Sequence, residues 1–352
     1  MSTAQHMLLS IFPRFFATVN DVKLIVRTPK VGRTIAMTTL ALSTFFCASG
    51  VQAQAYPNRP IKLIVGFPPG GSSDATARLL ATALGDKLGQ PIVVENKAGA
   101  NTVIASQYVR SQPADGYTIF SVSSSFAINP ALQKLNYDIY KDFTPVALLG
   151  TIPLWIVTPN QVPAKTVSEL VSLAKSKPGQ LPYASYGSGS AGHLASELLL
   201  SMTKTSMVHV PYRGTGPALV DVMGGQVTMM MPTVASSLSL VKEGKLRAIA
   251  VSSSKRVSAV PDVPTIAESG VPGYELVAWE TIQVAAGTPP DIVFRLNTAI
   301  RDIVASPGFR EKLVKLGIEP DAHMTPNDVA KFIRSEAEKF EKVVRERNIK
   351  AD

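Results

Sequence analysis

From residue 61 onward, apolar and polar positions fall into two alternating kinds of block. Residues 61–67 form a short run that is apolar apart from Lys62 and Gly66, which reads as a buried strand. A Gly/Pro/Ser loop follows, then a helical pattern from about Asp74 to Leu88. Residues 91–95 read as a second strand, 102–112 as a helix and 117–122 as a third strand. Further strands are predicted at 145–150, 153–158, 182–186, 207–211, 227–231, 246–252 and 277–285. Helices are predicted at 167–176, 190–203, 215–223, 235–243, 291–305, 308–316 and 326–347. This alternation implies an α/β fold of parallel sheets with helices on both faces. The last helix carries Glu336, Glu338, Lys339, Glu341 and Lys342, read as a solvated face. Two extended segments, near 144–158 and 276–287, are the places where the chain is expected to pass between lobes. No internal repeat is evident.

The first 55 residues break the pattern. Arg33 precedes an apolar run from Ile35 to Ser49, and small residues follow around Ala53 and Ala55. A basic flank, an apolar stretch of about 15 residues and a small-residue site make a secretory signal. The run is short of the roughly 20 residues that a membrane span needs. Cleavage is expected after Ala53 or Ala55, placing the processed protein in the periplasm. The stretch before Arg33 is long for a signal and points to a later true start.

Composition narrows the chemistry. With 352 residues, 45% of them hydrophobic, the chain can build one large or two medium cores. Its single cysteine, Cys47, lies inside the expected signal, and Thr44-Phe45-Phe46 before it make a poor acylation site. The processed chain would therefore have no disulfide, no thiolate nucleophile and no cysteine metal site. Losing residues 1–55 removes five basic residues and one acid, so the formal charge falls from +9 to +5. A mild positive excess favours anionic solutes. Without a Lys/Arg cluster or an aromatic-basic surface, nucleic acid is not an expected partner.

Three loops join a strand to a helix, and in open α/β sheets ligands sit beyond the carboxyl ends of the strands. The first is Phe67-Pro68-Pro69-Gly70-Gly71-Ser72-Ser73-Asp74. A helix start offers unpaired N–H groups and partial positive charge, which suit an anion. Gly66 and Gly71 have P-loop spacing, but Ser72 stands where that motif needs Lys. Asp74 reads as an N-cap, a role compatible with a ligand-facing Ser72 or Ser73. The second loop is Gly187-Ser188-Gly189-Ser190-Ala191-Gly192-His193. It matches G-x-G-x-x-G, but no acid ends the next strand to hold a ribose; Tyr212-Arg213 stands there. Ser188 and Ser190 do not fit a nucleophile elbow. The third loop is Pro211-Tyr212-Arg213-Gly214-Thr215-Gly216-Pro217. Beyond the expected signal the histidines are His193, His209 and His323, with no H-x-x-x-H pair. His209 reads as strand packing or a local hydrogen bond. His193 either orients its loop through a backbone bond or touches ligand directly. Anion-friendly loops without an acid/base set favour a binding protein over an enzyme; no catalytic residue, metal or cofactor is expected.

The order of several short motifs resembles one family, the tripartite tricarboxylate transporter receptors, also called TctC or Bug proteins. The motifs are Tyr56-Pro57-Asn58-Arg59-Pro60-Ile61, the Gly66 to Gly71 loop with Asp74, Val94-Glu95-Asn96-Lys97 with Gly99-Ala100, and Ala114-Asp115-Gly116-Tyr117-Thr118. They continue with Tyr186-Gly187-Ser188, His193-Leu194, Val210-Pro211-Tyr212-Arg213-Gly214 and Gly244-Lys245-Leu246-Arg247-Ala248. Pro261-Asp262-Val263-Pro264-Thr265 and Pro272-Gly273-Tyr274-Glu275 complete the series. The resemblance spans about Tyr56 to Ile349.

It implies a type II periplasmic-binding-protein fold: two lobes with parallel-rich sheets and a hinge crossed twice. One lobe would hold 56–150 and 279–352, the other 151–278. The implied ligand is a small carboxylate, gripped by backbone amides and ordered waters. The expected ligand contacts are Phe67, Pro69, Gly70, Gly71, Ser72, Ser73, Asp74, Ser124, Gly187, Ser188, Gly189, Ser190, Ala191, His193, Tyr212, Gly214, Thr215 and Trp279. Implied partners are the large and small subunits of an inner-membrane permease, served by a monomeric receptor. A sensory receptor presenting the same closed form to a signalling protein is the alternative. An exported NADP-linked reductase using Gly187, Gly189, Gly192 and Arg213 is a remote one.

The sequence departs from the family's pattern at Thr228 and at Met231-Pro232-Thr233, where acids are common, and at Glu280-Thr281 after Trp279. The missing acid near 232 predicts a ligand without a cationic amine. Glu280, if it faces the cleft, would repel a second carboxylate unless protonated or hydrogen-bonded.

Overall fold

A computed structural model of the chain describes residues 56–350. The expected signal, residues 1–55, lies outside the described residues. No helix among them is long and apolar enough to cross a membrane.

Strand β1 (Ile61–Val65) lies between β2 (Ile92–Asn96) and β3 (Thr118–Ser123), parallel to both. Between β1 and β2 runs helix α1 (Ser72–Leu88), which buries Ala77, Leu80, Ala81 and Leu84. That spacing of three and four residues places the four on one helical stripe. Helix α1 ends at Gly89, in the left-handed conformation, with its amide donating to the Gly85 carbonyl. Helix α2 (Val103–Arg110) returns the chain to β3. Antiparallel β10 (Ala278–Ala285), β4 (Phe143–Ile152) and the short β11 (Glu319–Pro320) complete a sheet ordered β11-β4-β10-β3-β1-β2.

The second sheet is ordered β7-β6-β8-β5-β9. It contains β5 (Trp155–Pro159), β6 (Pro182–Ser185), β7 (Val208–Pro211), β8 (Met229–Met230) and β9 (Leu246–Val251). Helices α4 (Val167–Ser176), α5 (Ala191–Thr203), α6 (Thr215–Met223) and α7 (Val234–Lys242) connect its strands. The chain enters this sheet after β4 and leaves it before β10. The two crossings are tied together: Ser252 donates its amide to the Leu154 carbonyl at 2.8 Å, and the Leu154 amide donates to Ser252 Oγ at 3.0 Å.

Both sheets are mixed, where the alternation of elements suggests parallel ones. β6 pairs in parallel with β7 and β8, but β5 runs antiparallel to β8 and β9. In the first sheet β10 runs antiparallel to both β3 and β4, and β11 to β4.

Two differences from the sequence reading stand out. Helix α3 (Ser125–Leu132) was not predicted, because Pro130 sits inside it and a serine run precedes it. The C-terminal helix is not solvated at Glu336. Helices α8 (Pro290–Ala305) and α9 (Pro307–Lys315) precede it, and α10 (Pro326–Glu346) opens with a Thr325/Asp328 capping box. Glu336 is buried on α10, bonded to Lys339 at 2.6 Å, and burial raises its pKa. Glu338, Glu341 and Lys342 are exposed, as expected. Helix α10 packs on α3, β4 and α5, and Arg347 just beyond it bonds to Glu197 of α5.

Candidate ligand-binding site

The loop after β1 is held from below. Asp74 is the third residue of α1, not its N-cap; the cap position is Gly71, with no capping side chain. The Asp74 carboxylate accepts from the Gly70 amide at 2.9 Å, Arg78 Nε at 3.0 Å and Asn96 Nδ2 at 2.9 Å. The Arg78 hydrogen bond, with those from Gly70 and Asn96, holds its pKa down to about 2. Asn96 also donates to the Phe67 carbonyl, so one β2 side chain fixes both ends of the loop. Pro68, Pro69, Gly70, Gly71 and Ser72 are exposed above this support, and Phe67 and Ser73 are partly buried. With no side chain at the cap, the first-turn amides of α1 lack a side-chain acceptor.

Ser73 leads into the sheet, where its Oγ donates to Glu280 at 3.4 Å and Ser121 Oγ donates to the same carboxylate at 3.1 Å. Glu280 is 1% exposed, and burial raises its pKa to about 7. It stands back to back with Trp279, whose carbonyl accepts the Ser124 amide at 3.2 Å. Ser124 is the buried residue that starts α3.

Beside this corner, Ala100, Asn101 and Thr102 all have positive φ, at 45°, 49° and 79°. Such backbone is costly for residues with a Cβ. It is held by a reciprocal pair: Asn101 Nδ2 donates to Asn129 Oδ1, and Asn129 Nδ2 donates to the Asn101 carbonyl at 2.7 Å. The sequence carried no turn signal for this segment beyond Gly99.

The second glycine loop is built around His193. Its Nδ1 accepts the Gly189 amide at 3.1 Å, the loop-orienting role expected of it. Its ring stacks on His209 with centroids 3.7 Å apart, and His209 Nε2 bonds to Ser185 Oγ at 2.7 Å. His209 thus does both the packing and the hydrogen bonding expected of it. Ser190 caps α5 by accepting the His193 amide, and Tyr186 Oη accepts the Gly192 amide at 2.9 Å. A Cβ at Gly192 would lie 2.5 Å from the Met231 carbonyl oxygen, so no larger residue fits. Two amides of this loop, those of Ser188 and Ala191, take no hydrogen bond within the described residues.

The third loop lies alongside. The Tyr212 amide donates to the Ser185 carbonyl, next to Gly187. Tyr212 Oη is committed to Asp221 at 2.6 Å, and burial with that bond raises its pKa to about 12. Helix α6 starts at Thr215 behind Gly214, again without a side-chain cap. Arg213 is exposed between them.

Helix α3 connects these parts. It begins at Ser124, beside Trp279 and Glu280, and ends at Leu132, which touches the second loop: a Cβ on Gly189 would fall 2.3 Å from Leu132 Cδ1. Eight helical residues span about 12 Å.

The sequence matches one family model, described as the tripartite tricarboxylate transporter family receptor, over residues 76–349. The chain belongs to this family. The protein BugT of Bordetella pertussis is 37% identical over 321 residues, covering 90% of this chain and 98% of that protein. A solved R. palustris protein with adipate is 35% identical with a TM-score of 0.75, covering 84% of this chain and all (100%) of that one. MatC from Rhodopseudomonas palustris, solved with bound malate, is 34% identical with a TM-score of 0.70, covering 82% of this chain and 100% of MatC. The fold is thus the two-lobed one of the periplasmic binding proteins, and the family is one of substrate-binding receptors.

For this receptor, the structure corrects one expected contact outright. Trp279 is fully buried, its ring edge-on to Phe332 of α10 and its Nε1 without a hydrogen-bond partner among the described residues. Side chains alternate along β10, so the strand turns Trp279 into the core and Glu280 toward Ser73. Only the Trp279 carbonyl reaches the Ser124 corner. Asp74 and the Tyr212 hydroxyl are likewise used up in holding loops. Gly71, Ser72, Ser188, Ala191 and Gly214 remain as the loop positions whose amides take no hydrogen bond within the described residues.

Proposed function

We propose that this receptor captures a small carboxylate between the two sheets and delivers it to a tripartite tricarboxylate-type permease. The observation that carries this reading is the pairing of helix-opening glycine loops from different sheets, with uncapped amides on α1 and α6 and open amides at Ser188 and Ala191. Preorganised amides at helix starts hold a carboxylate without placing an acid or base against it. The adipate and malate found in the two related structures support the ligand class. The sheets would form the two lobes, closing about the Leu154–Ser252 crossing and shifting an open–closed equilibrium on loading. A secretory signal in residues 1–55 would deliver the receptor to the periplasm as a monomer.

The ligand carries no cationic amine on this reading. Thr228 and Pro232 stand where family members commonly offer an acid, and Asp74 and Asp221 are bonded within the chain. Calorimetry comparing aspartate with succinate tests this: aspartate binding more tightly would overturn it.

A thermal-shift screen of mono-, di- and tricarboxylates tests the main reading. A ligand at about 100 times its dissociation constant adds roughly 2.7 kcal/mol of stability. Gly71→Leu is the matching control. Gly71 has φ −79°, and only the Pro68 carbonyl oxygen lies near its would-be Cβ, at 3.7 Å. The variant should fold normally and lose the shift. A panel with no shift anywhere would refute the reading.

A further inference from the structure

Glu280 is a buried acid that its surroundings do not neutralise. Its carboxylate has two serine donors, Ser121 and Ser73. Directly opposite it in the β10–β3 register stands Ser123, whose Oγ is buried without a partner among the described residues. Among the described residues no ion pair reaches Glu280, and several charged groups on neighbouring elements are engaged elsewhere. On α1, Asp74 and Arg78 bond to one another. On α2, Arg110 pairs with Asp142. On α8, Arg301 donates to the Ala322 carbonyl, and on β11, Glu319 accepts from Ser258. Helix α10 meets the opposite face of β10, through Phe332 and Trp279. Burial and the two serine hydroxyls are therefore what set the Glu280 titration, near neutral pH.

The serine contact reaches the ligand loop. Ser73 is the second residue of α1, among the uncapped amides. A hydroxyl has one hydrogen to give, and it rotates to suit its partners. While Glu280 is ionised, the Ser73 hydrogen is spent on it. Once Glu280 is protonated, its own O–H can donate to Ser73 Oγ, and the Ser73 hydrogen is free to turn toward an anion at the helix start.

We propose that Glu280 is a proton-linked positioning residue of the ligand site: an anion seating on the first turn of α1 draws one proton from solvent onto Glu280, through reversal of the Ser73 hydroxyl. This rests on the carboxylate-binding reading above. The receptor then loads more tightly on the acid side of neutrality and gives up a proton when it releases its ligand.

Calorimetry with adipate as probe, between about pH 6.5 and about pH 8.5 where both its carboxyls are ionised, reads this directly. Two buffers of different protonation enthalpy report the proton. Affinity should fall with rising pH by several-fold, with a ceiling of about tenfold per pH unit for one linked proton, and uptake should be seen in the alkaline half of the range. Glu280→Gln should bind adipate with a flat profile and no proton uptake. Ser73→Ala, a change at a partly buried helix start, should weaken binding and flatten the profile too, and it serves if the Gln variant does not fold. A pH-flat wild type, or a Glu280→Gln variant that keeps the wild-type slope, would overturn the role of Glu280 and leave carboxylate binding intact. Failure of adipate and of every carboxylate in the screen to bind would instead remove the binding reading and this inference with it.

Discussion

His193 Nδ1 accepts the Gly189 amide proton at 3.1 Å, so the second glycine loop is shaped by a side chain four residues further on. Gly189 is buried. A buried amide stripped of its acceptor costs about 1–3 kcal/mol. His193→Ala should therefore destabilise the fold by about that much in urea melts, and weaken carboxylate binding. His193→Asn keeps an acceptor at nearly the Nδ1 position and should recover part of both losses. Equal losses in the two variants would mean that the ring stack on His209, not the hydrogen bond, is what matters.

Much of this was legible in the sequence, and the exceptions have physical causes. The glycine loops declared themselves because helix-opening glycines and serines have few other uses between a strand and a helix. The role of His193 followed from its place at the start of α5. The Glu280–Ser73–Ser121 contact was hidden because it joins residues some 160 to 210 positions apart, through a strand pairing that sequence spacing does not encode. Trp279 was misread for the same reason: only the pleat of β10 decides which of Trp279 and Glu280 faces the core. The strained Ala100–Thr102 turn carries no glycine where φ is positive, so its conformation is imposed by Asn129 from α3, a helix the Pro130 signal concealed.

Gly189 of the second loop sits against Leu132 of α3. Gly189→Ala places a methyl 2.3 Å from Leu132 Cδ1 at φ +71°. The backbone part costs about 1–2 kcal/mol, and the contact adds to it. Leu132→Ala removes the obstacle but not the strain. The double variant should be more stable than the two single losses predict, by about 0.5–3 kcal/mol of coupling. Strict additivity in denaturant melts would show that α3 and the second loop do not touch in the resting protein.

Asp74 should set part of the acid sensitivity. Its pKa is lowered to about 2 by Arg78, with the Gly70 and Asn96 donors. A depressed carboxyl contributes stability that is complete above its unfolded pKa, near 4, and is lost as pH falls through the folded value. Asp74→Asn should cost on the order of 2 kcal/mol at neutral pH, and the gap from wild type should close between about pH 4 and pH 2. A gap of constant size down to the acid limit would assign the effect to the lost loop geometry rather than to the charge.

Glu280 should act with the opposite sign. Its folded pKa is raised to about 7 by burial, while in the unfolded chain it titrates near 4.5. Between those values the folded protein holds a proton that the unfolded chain has released. Stability therefore falls as pH rises from about 4.5 to about 7, and the deficit persists above. Glu280→Gln removes the titration while keeping the shape. The Gln carbonyl can accept from Ser73 and Ser121, and its amide can donate to the otherwise unpartnered Ser123 Oγ. The variant should match wild type near pH 4.5 and exceed it by about 1–3 kcal/mol at pH 8. An advantage that grows with pH distinguishes it from Asp74→Asn, whose deficit is largest at neutral pH. A Glu280→Gln variant less stable than wild type at pH 8 would show that the ionised carboxylate is welcome where it sits, and that the serines suffice to hold it.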